Sequence, residues 1–233
     1  GFAKLDYNII FTSRSKAKSK QLIDFASKHG CQIIHSIIIN LDDDKATDRI
    51  ISKIKKIKLY PDILLNNARN KDNLKTNLKG IINRTKWISE FKINVLVPYE
   101  LSSKLTALKK SPLRKIINIS SIYGVVAPNI TIYKNPKKDS AINYGTVKAA
   151  LNHLTKELAV RLSDKKIQVN SVSYGGVRGN QSKSFQKKYS NLSPQNKMIS
   201  KNELFGVIEF LISDKSVNIN GHNIIVDGGW TIW

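Results

Sequence analysis

Ile116-Ile117-Asn118-Ile119-Ser120-Ser121 is a mostly apolar, β-branched segment, which predicts a buried strand that ends in two serines. Further along, Tyr144-Gly145-Thr146-Val147-Lys148 places a tyrosine and a lysine four positions apart, so both side chains share one face of a helix. An ammonium group beside a phenol favours the phenolate form. The pattern therefore predicts that Tyr144 donates or accepts a proton while Ser121 holds a carbonyl or alcohol oxygen beside it.

The Tyr-x-x-x-Lys pattern alone also suits a purely structural role. A buried tyrosine, a lysine whose stem lies along an apolar surface and a helix-capping serine would produce it without any activity. Four other segments surround it in a fixed order and favour the catalytic interpretation. They are Asn66-Asn67-Ala68, Asn94, Tyr174-Gly175-Gly176-Val177 and Val226-Asp227-Gly228-Gly229-Trp230.

In this order and spacing, the segments resemble the short-chain dehydrogenase/reductase family, in its compact single-domain branch, from about Tyr7 to the C-terminus. The resemblance implies an α/β fold: a doubly wound parallel sheet of the NAD(P)-binding Rossmann type. It implies hydride transfer between a nicotinamide cofactor and a secondary alcohol or ketone. The catalytic roles then fall on Ser121, Tyr144, Lys148 and Asn94, of which Asn94 supports a proton relay.

The resemblance also implies which residues bind the cofactor. They are Arg14, Asn40, Leu41, Asn66, Ala68, Tyr144, Lys148, Gly175 and Val177. Arg14 follows the predicted strand 7–12, where relatives that prefer NAD carry an acidic residue, so it favours NADP by receiving the 2′-phosphate. NAD stays open, because Arg14 is also a plausible exposed arginine before a helix. Arg69 stands where the family usually has glycine, so the backbone conformation of this loop is not predicted. As an alternative role, Arg69 could reach a phosphate or carboxylate in the cleft.

The start of the chain departs from the family pattern. The family begins with a strand and a glycine-rich turn that approaches the pyrophosphate, and neither is found before the strand near Tyr7. Either the chain is a fragment or the segment has been lost, and we favour the fragment. The expectation is a single domain over 1–233, N-terminally incomplete, which binds the cofactor poorly as it stands.

Composition limits the other classes of function. The 233 residues suit one domain. The formal net charge of +22 comes from lysines scattered along the chain, which argues against nucleic-acid binding. The single Cys31 and the lack of a long apolar run predict a cytoplasmic protein with no membrane contact. We interpret Asp42-Asp43-Asp44 as a helix N-terminus and predict no metal.

The substrate class rests on resemblance alone. The long segment between Ser121 and Tyr144 is similar to family members from surface-polysaccharide and flagellin-glycan pathways, which implies a small sugar-derived substrate. The family also implies a homodimer or homotetramer, paired through the catalytic helix and the helix before it. A cofactor-binding homologue without catalysis is the alternative function.

Three predictions of local structure bear on the site. A long helix is expected over 85–108, with a kink or break at Pro98 close to Asn94. Residues 73–84 are expected to form a loop. Residues 178–194 are polar and are predicted to form a mobile lid over the substrate.

Overall fold

Strands and helices alternate along the chain in the computed structural model, which describes residues 2–5, 7–31, 33–109 and 111–233. In order they are β1 (Ile9–Ser13), α1 (Lys16–Ser27), β2 (Ile34–Ile38), α2 (Ala46–Ile57), β3 (Ile63–Asn66), α3 (Arg84–Phe91), α4 (Val97–Thr106), β4 (Lys115–Ser121), α5 (Pro136–Asp139), α6 (Ile142–Arg161), β5 (Gln168–Tyr174), α7 (Lys183–Ser190), α8 (Phe205–Ile212) and β6 (Asn223–Val226). Short 3₁₀ helices lie at Phe2–Leu5, Lys71–Leu74, Ile122–Gly124, Ile130–Ile132, Ser163–Lys165, Lys201–Glu203 and Asp214–Ser216.

Every strand pair in the described residues is parallel. The strands form two sheets, with the orders β1-β2 and β3-β4-β5-β6. In the larger sheet, Ser121 at the end of β4 lies opposite Tyr174 at the end of β5. Because parallel neighbours end at the same edge, the polar residues predicted for the site are gathered at the carboxyl ends of the strands.

Helices cover both faces of the larger sheet. Successive residues of a strand point to opposite faces, so fully buried Ile116 and Ile117 need separate helix layers. Ile116 packs in a core with Ile50 of α2, Leu101 of α4 and Leu158 of α6. Ile117 packs in a second core with residues of α8. Each such burial contributes about 1.5–3 kcal/mol, and the two layers confirm the doubly wound α/β class.

The two sheets are not joined by strand pairing among the described residues. β1 pairs only with β2, and β3 pairs only with β4, so each has one edge without a strand partner. Ser13 at the end of β1 and Ala68 just after β3 line the same small cavity, so these strand ends lie close together. β3 is only half-buried along its length, whereas β4 is almost completely buried.

The predicted break in the long helix takes the form of a π-helical segment. Residues Lys92–Leu96 form this segment between α3 and α4, and Asn94 lies within it. Pro98 follows directly at the start of α4, and because proline has no backbone N–H, the continuous helical hydrogen-bond ladder is interrupted next to Asn94. π-Helical bulges are common at functional sites, and this one brings Asn94 into the interior.

Two predicted loops contain more structure than expected. The segment 73–84 begins inside the 3₁₀ helix Lys71–Leu74, and Asn83 caps α3 by accepting a hydrogen bond from Lys86 N at 2.9 Å. The predicted lid 178–194 contains α7, which Ser182 caps through Phe185 N.

Within the described ranges, no helix combines the length and the apolar character needed to cross a bilayer.

Candidate active site

Ser121, Tyr144 and Lys148 line one cavity of about 560 Å³ at the carboxyl edge of the larger sheet. Ser121 is the last residue of β4, and the 3₁₀ helix Ile122–Gly124 that follows packs against α6. Tyr144 lies in the first turn of α6, and Lys148 follows one turn later on the same side. The structure thus brings together three residues that the sequence separates.

Gly124 lets α6 approach the end of β4. A Cβ atom at this position would lie 2.7 Å from the carbonyl carbon of Lys148 and 2.9 Å from Ala149 N. Both are backbone atoms of α6, so the contact cannot be relieved by turning a side chain. The absence of a side chain at Gly124 therefore sets the distance between Ser121 and the residues of α6.

Lys148 is held in the interior by one short hydrogen bond. Its side chain is nearly buried, and Nζ donates to the carbonyl oxygen of Ile119 at 2.7 Å. Burial lowers the pKa of Lys148 to about 8, the nearby Glu90 carboxylate opposes this shift, and Arg69 adds to it. Lys148 therefore exchanges its proton close to neutral pH, as a relay requires.

A buried carboxylate stands behind Lys148. Glu90 of α3 has no solvent exposure, and burial raises the pKa of its carboxyl. Asn94 Nδ2 donates to Glu90 Oε1 at 2.9 Å, and Asn73 Nδ2 donates to Oε2 at 3.2 Å. The sequence interpretation missed Glu90, although its spacing of four from Asn94 inside an apolar helix is a usable signal.

Hydrogen bonds extend this cluster toward the outside of the molecule. Asn73 Nδ2 also donates to Ser89 Oγ at 2.9 Å, and Ser89 Oγ donates to Asp42 Oδ2 at 2.8 Å. Asp42 is half-buried, so the series runs from the interior to a partly solvated carboxylate. The Oδ1 atom of Asn94 is buried and accepts no hydrogen bond from the residues described, so it remains available to a water or ligand.

The residues predicted to bind the adenosine end of a cofactor lie together. Arg14, Asn40 and Leu41 line a second cavity of about 200 Å³. Ala68 and Arg69 line both cavities and mark where they meet.

The other predicted cofactor residues separate into two groups. Gly175 and Val177 line the larger cavity, and the Val177 N–H is used by no hydrogen bond among the residues described. Asn66 lines neither cavity. Its Nδ2 donates to Asn118 Oδ1 at 2.8 Å, so its side chain holds β3 to β4, and the neighbouring Asn67 lines the cavity instead.

The loop with Arg69 in place of glycine is unstrained. Among the non-glycine residues described, those with positive φ are Lys58, Lys166 and Asn196, so Arg69 needs no conformation that favours glycine. Its guanidinium carbon lies 4.9 Å from the centre of the Tyr144 ring.

Aromatic side chains close the outer side of the larger cavity. Tyr123 and Tyr133 share a hydrogen bond between their hydroxyls at 2.8 Å, and Tyr189 stacks on Trp230 with ring centres 5.6 Å apart. These rings come from the segment after β4, from α7 and from the C-terminal turn. No spacing rule relates these residues, because they are distant in the chain.

The residues present fit the two ends of a nicotinamide cofactor. The two cavities meet, so they suit an elongated ligand that has one end near Arg14 and Asn40 and the other near Tyr144 and Lys148. Arg14 supplies charge at the first end, and the unused Val177 N–H supplies a donor at the second.

Comparison with known proteins agrees with this geometry. A family model described as enoyl-(acyl carrier protein) reductase matches residues 1–231. The chain belongs to the short-chain dehydrogenase/reductase family. A 3-oxoacyl-(acyl-carrier-protein) reductase of this family, FabG from Buchnera aphidicola subsp. Acyrthosiphon pisum, is 30% identical over 97% of this chain and 88% of its own length.

Other members of the family are similar over different extents. Post-translational flagellin modification protein A from Campylobacter coli is 38% identical over 122 residues, which cover 52% of this chain and about half (48%) of that protein. The solved structure of ElxO with NADP bound is 28% identical, with a TM-score of 0.82 over 100% of this chain and 92% of ElxO. A 4-hydroxyisoleucine dehydrogenase complexed with NADH has the same fold, with a TM-score of 0.83 at 24% identity over 100% of this chain and 91% of its own.

The activity of this short-chain dehydrogenase/reductase is expected to fall as the pH rises through about 8. Lys148, whose pKa is near 8, loses its ammonium charge in this range. Glu90→Gln removes the negative charge that supports the ammonium form, so the falling limb should move to lower pH. The measurement is the pH profile of kcat for ketone reduction. Glu157→Gln, on the exposed side of α6, should leave the falling limb of the pH profile unchanged. An unchanged limb in Glu90→Gln would show that Glu90 does not influence the pKa of Lys148.

Proposed function

We propose that the chain is an NADP(H)-dependent oxidoreductase that interconverts a secondary alcohol and a ketone. The observation that carries this proposal is the meeting of Ser121, Tyr144 and Lys148 in one cavity. The family to which the chain belongs supports the reaction type. When bound, the nicotinamide cofactor supplies or accepts the hydride.

The residues of the chain provide proton transfer and orientation. In reduction, the Tyr144 hydroxyl gives its proton to the developing alkoxide, and Ser121 Oγ donates a hydrogen bond to the same oxygen. The hydroxyl of Tyr144 has no protein partner in the described part of the chain, so it is free to meet a substrate. Lys148 stabilises the resulting phenolate, which regains its proton from solvent. The Glu90 carboxyl, held by Asn94, acts electrostatically on Lys148 from the side of α3 during this step.

The preference for NADP rests on Arg14, and it can be tested by binding alone. Arg14→Ala should weaken NADPH binding about tenfold and leave NADH binding nearly unchanged, because only NADPH has a 2′-phosphate. Fluorescence titration of both cofactors gives the ratio, and Arg84→Ala, an exposed arginine outside both cavities, is the control.

Two other outcomes would revise the proposal. Tighter binding of NADH by the unaltered protein would remove the role of Arg14 while retaining the oxidoreductase. Normal NADPH binding without reduction of any ketone would favour the cofactor-binding homologue that lacks catalysis.

We propose a small polar, sugar-derived substrate. The aromatic side chains of Tyr123 and Tyr133 lie in the long segment between Ser121 and Tyr144, and aromatic rings with hydroxyl groups suit a ligand that is both apolar and hydrogen-bonding. The similarity to a protein named for flagellin modification supports the same choice.

We also propose a homodimer or homotetramer that pairs through α3, α4 and α6. These helices expose large apolar side chains, which are Ile88, Phe91, Tyr99, Ile142 and Val160. Apolar surface of this kind is typical of a contact between subunits.

The single Cys31 is buried and free, which is compatible with a reducing, cytoplasmic setting.

A further inference from the structure

Arg69 is a cation at the meeting point of the two cavities. It follows β3 by three residues, its side chain is exposed, and its guanidinium carbon lies 4.9 Å from the centre of the Tyr144 ring. It lines the larger cavity on one side and the smaller cavity on the other. No ion pair among the described residues includes Arg69, and the buried Glu90 carboxyl acts on it only at a distance, so no carboxylate occupies its N–H donors.

The charged residues described in the lining of the larger cavity are all basic. Its described lining includes the cations Arg69, Lys148 and Lys201 and no aspartate or glutamate. A cleft lined by one sign of charge concentrates ligands of the opposite sign. Lys148 already donates to Ile119 O and Lys201 lies in a 3₁₀ helix at the rim, which leaves Arg69 as the cation nearest to Tyr144 that is free for a ligand.

The stacked position of Arg69 does not prevent it from binding an anion. A guanidinium that lies over an aromatic ring uses its flat face, and its N–H donors point outward in the plane. A cation–π contact at an exposed site is weak, and a paired contact with a carboxylate or phosphate is stronger. The position of Arg69 over the Tyr144 ring therefore leaves its N–H donors available to a ligand.

We propose that Arg69 forms an anion-binding subsite for a carboxylate or phosphate group of the ligand, beside the oxygen that reacts at Tyr144. The inference rests on the proposed function, because it names a property of the substrate for the same site. Two sources supply this chemistry, which are an acidic substrate and the diphosphate of the cofactor. The contact with Tyr144, on which the reacting oxygen converges, favours the substrate.

The test compares two probes that differ in charge. Acetoacetate carries a carboxylate and methyl acetoacetate carries a neutral ester at the same position. Their binding to the protein with NADP⁺ is followed by broadening of the probe methyl signals in NMR, which needs no turnover. The unaltered protein should bind acetoacetate at least tenfold more tightly than the ester.

Variants of Arg69 should then separate charge from shape. Arg69→Met keeps most of the side-chain length and should abolish the preference for acetoacetate. Arg69→Lys keeps the charge and should retain most of that preference. Arg84→Met, an exposed arginine outside both cavities, should change neither affinity.

Titration with NADH and NADPH identifies the source of the anion. If Arg69→Met weakens both cofactors by the same factor of ten or more and leaves the probes unchanged, the subsite belongs to the cofactor diphosphate. Unchanged affinity for both probes and both cofactors in Arg69→Met would overturn the subsite. If neither the unaltered protein nor any of the variants reduces methyl acetoacetate, the result counts against the proposed function. The binding data would still decide the role of Arg69.

Discussion

Replacement of Tyr144 by phenylalanine is expected to lower kcat by at least a hundredfold while cofactor affinity stays within about twofold. General acid–base catalysis by one side chain typically contributes about 10²–10⁴ in rate, and this substitution removes only the hydroxyl. The ring keeps its contacts, which are the Arg69 guanidinium at 4.9 Å and the perpendicular ring of Tyr123, whose centre lies 6.5 Å from its own. Steady-state reduction of a ketone gives kcat, and fluorescence titration with NADPH gives the affinity.

The matched control is Tyr99→Phe, a half-exposed tyrosine of α4 that lines neither cavity. It removes the same hydroxyl at a site with no proposed chemistry and should leave kcat unchanged. Full activity in Tyr144→Phe would contradict the assignment of the proton donor. A loss of activity accompanied by a large fall in melting temperature would instead point to a structural role for Tyr144.

Gly124→Ala should both destabilise the protein and reduce kcat by about tenfold or more. The new Cβ would press on backbone atoms of Lys148 and Ala149 at 2.7 and 2.9 Å, so α6 must shift away from β4. Overpacking of this kind costs about 1–3 kcal/mol. A displacement of about 1 Å between catalytic groups can cost a hundredfold in rate. Thermal unfolding and steady-state kinetics of the same preparation measure the two effects.

Gly206→Ala is the control for the change of glycine to alanine. Gly206 lies in α8, and a Cβ there would meet no atom within 4 Å. Alanine is the better helix former by up to about 1 kcal/mol, so this variant should be slightly more stable and fully active. Equal stability of Gly124→Ala and Gly206→Ala would show that α6 tolerates the added methyl group.

Local patterns in the sequence account for the part of the site that is built from one strand end and one helix. Ser121 follows an apolar run, and Tyr144 and Lys148 obey the helical spacing, so their meeting needed only the parallel order of the strands. The role of Asn94 was inferred from the resemblance to the family, and Pro98 predicted a break in the helix close to it. The π-helical segment that turns Asn94 inward depends on packing, which the sequence pattern does not express.

Long-range contacts account for the rest. Glu90 is buried because the segment at Asn73 folds over α3, and no local rule predicts which carboxylate a distant segment covers. Asn66 was assigned to the cofactor, but its amide is engaged by Asn118 from the neighbouring strand. The contact of Arg69 with Tyr144 joins residues 75 positions apart, as their numbers show, and it arises only when β3 and α6 reach the same edge.

Strand pairing does not join β1 to β3 among the described residues, so the fold has two sheet units that share one hydrophobic core, in which Ile10 and Ile37 pack with Ile116. The unit β1-α1-β2 adheres to the larger sheet through side chains, and no backbone hydrogen bond links β1 to β3 among the described residues. Arg14 and Asn40 belong to the first unit and Tyr144 to the second. A ligand that contacts both units adds contacts between them. Binding of that ligand therefore also stabilises the folded protein against unfolding.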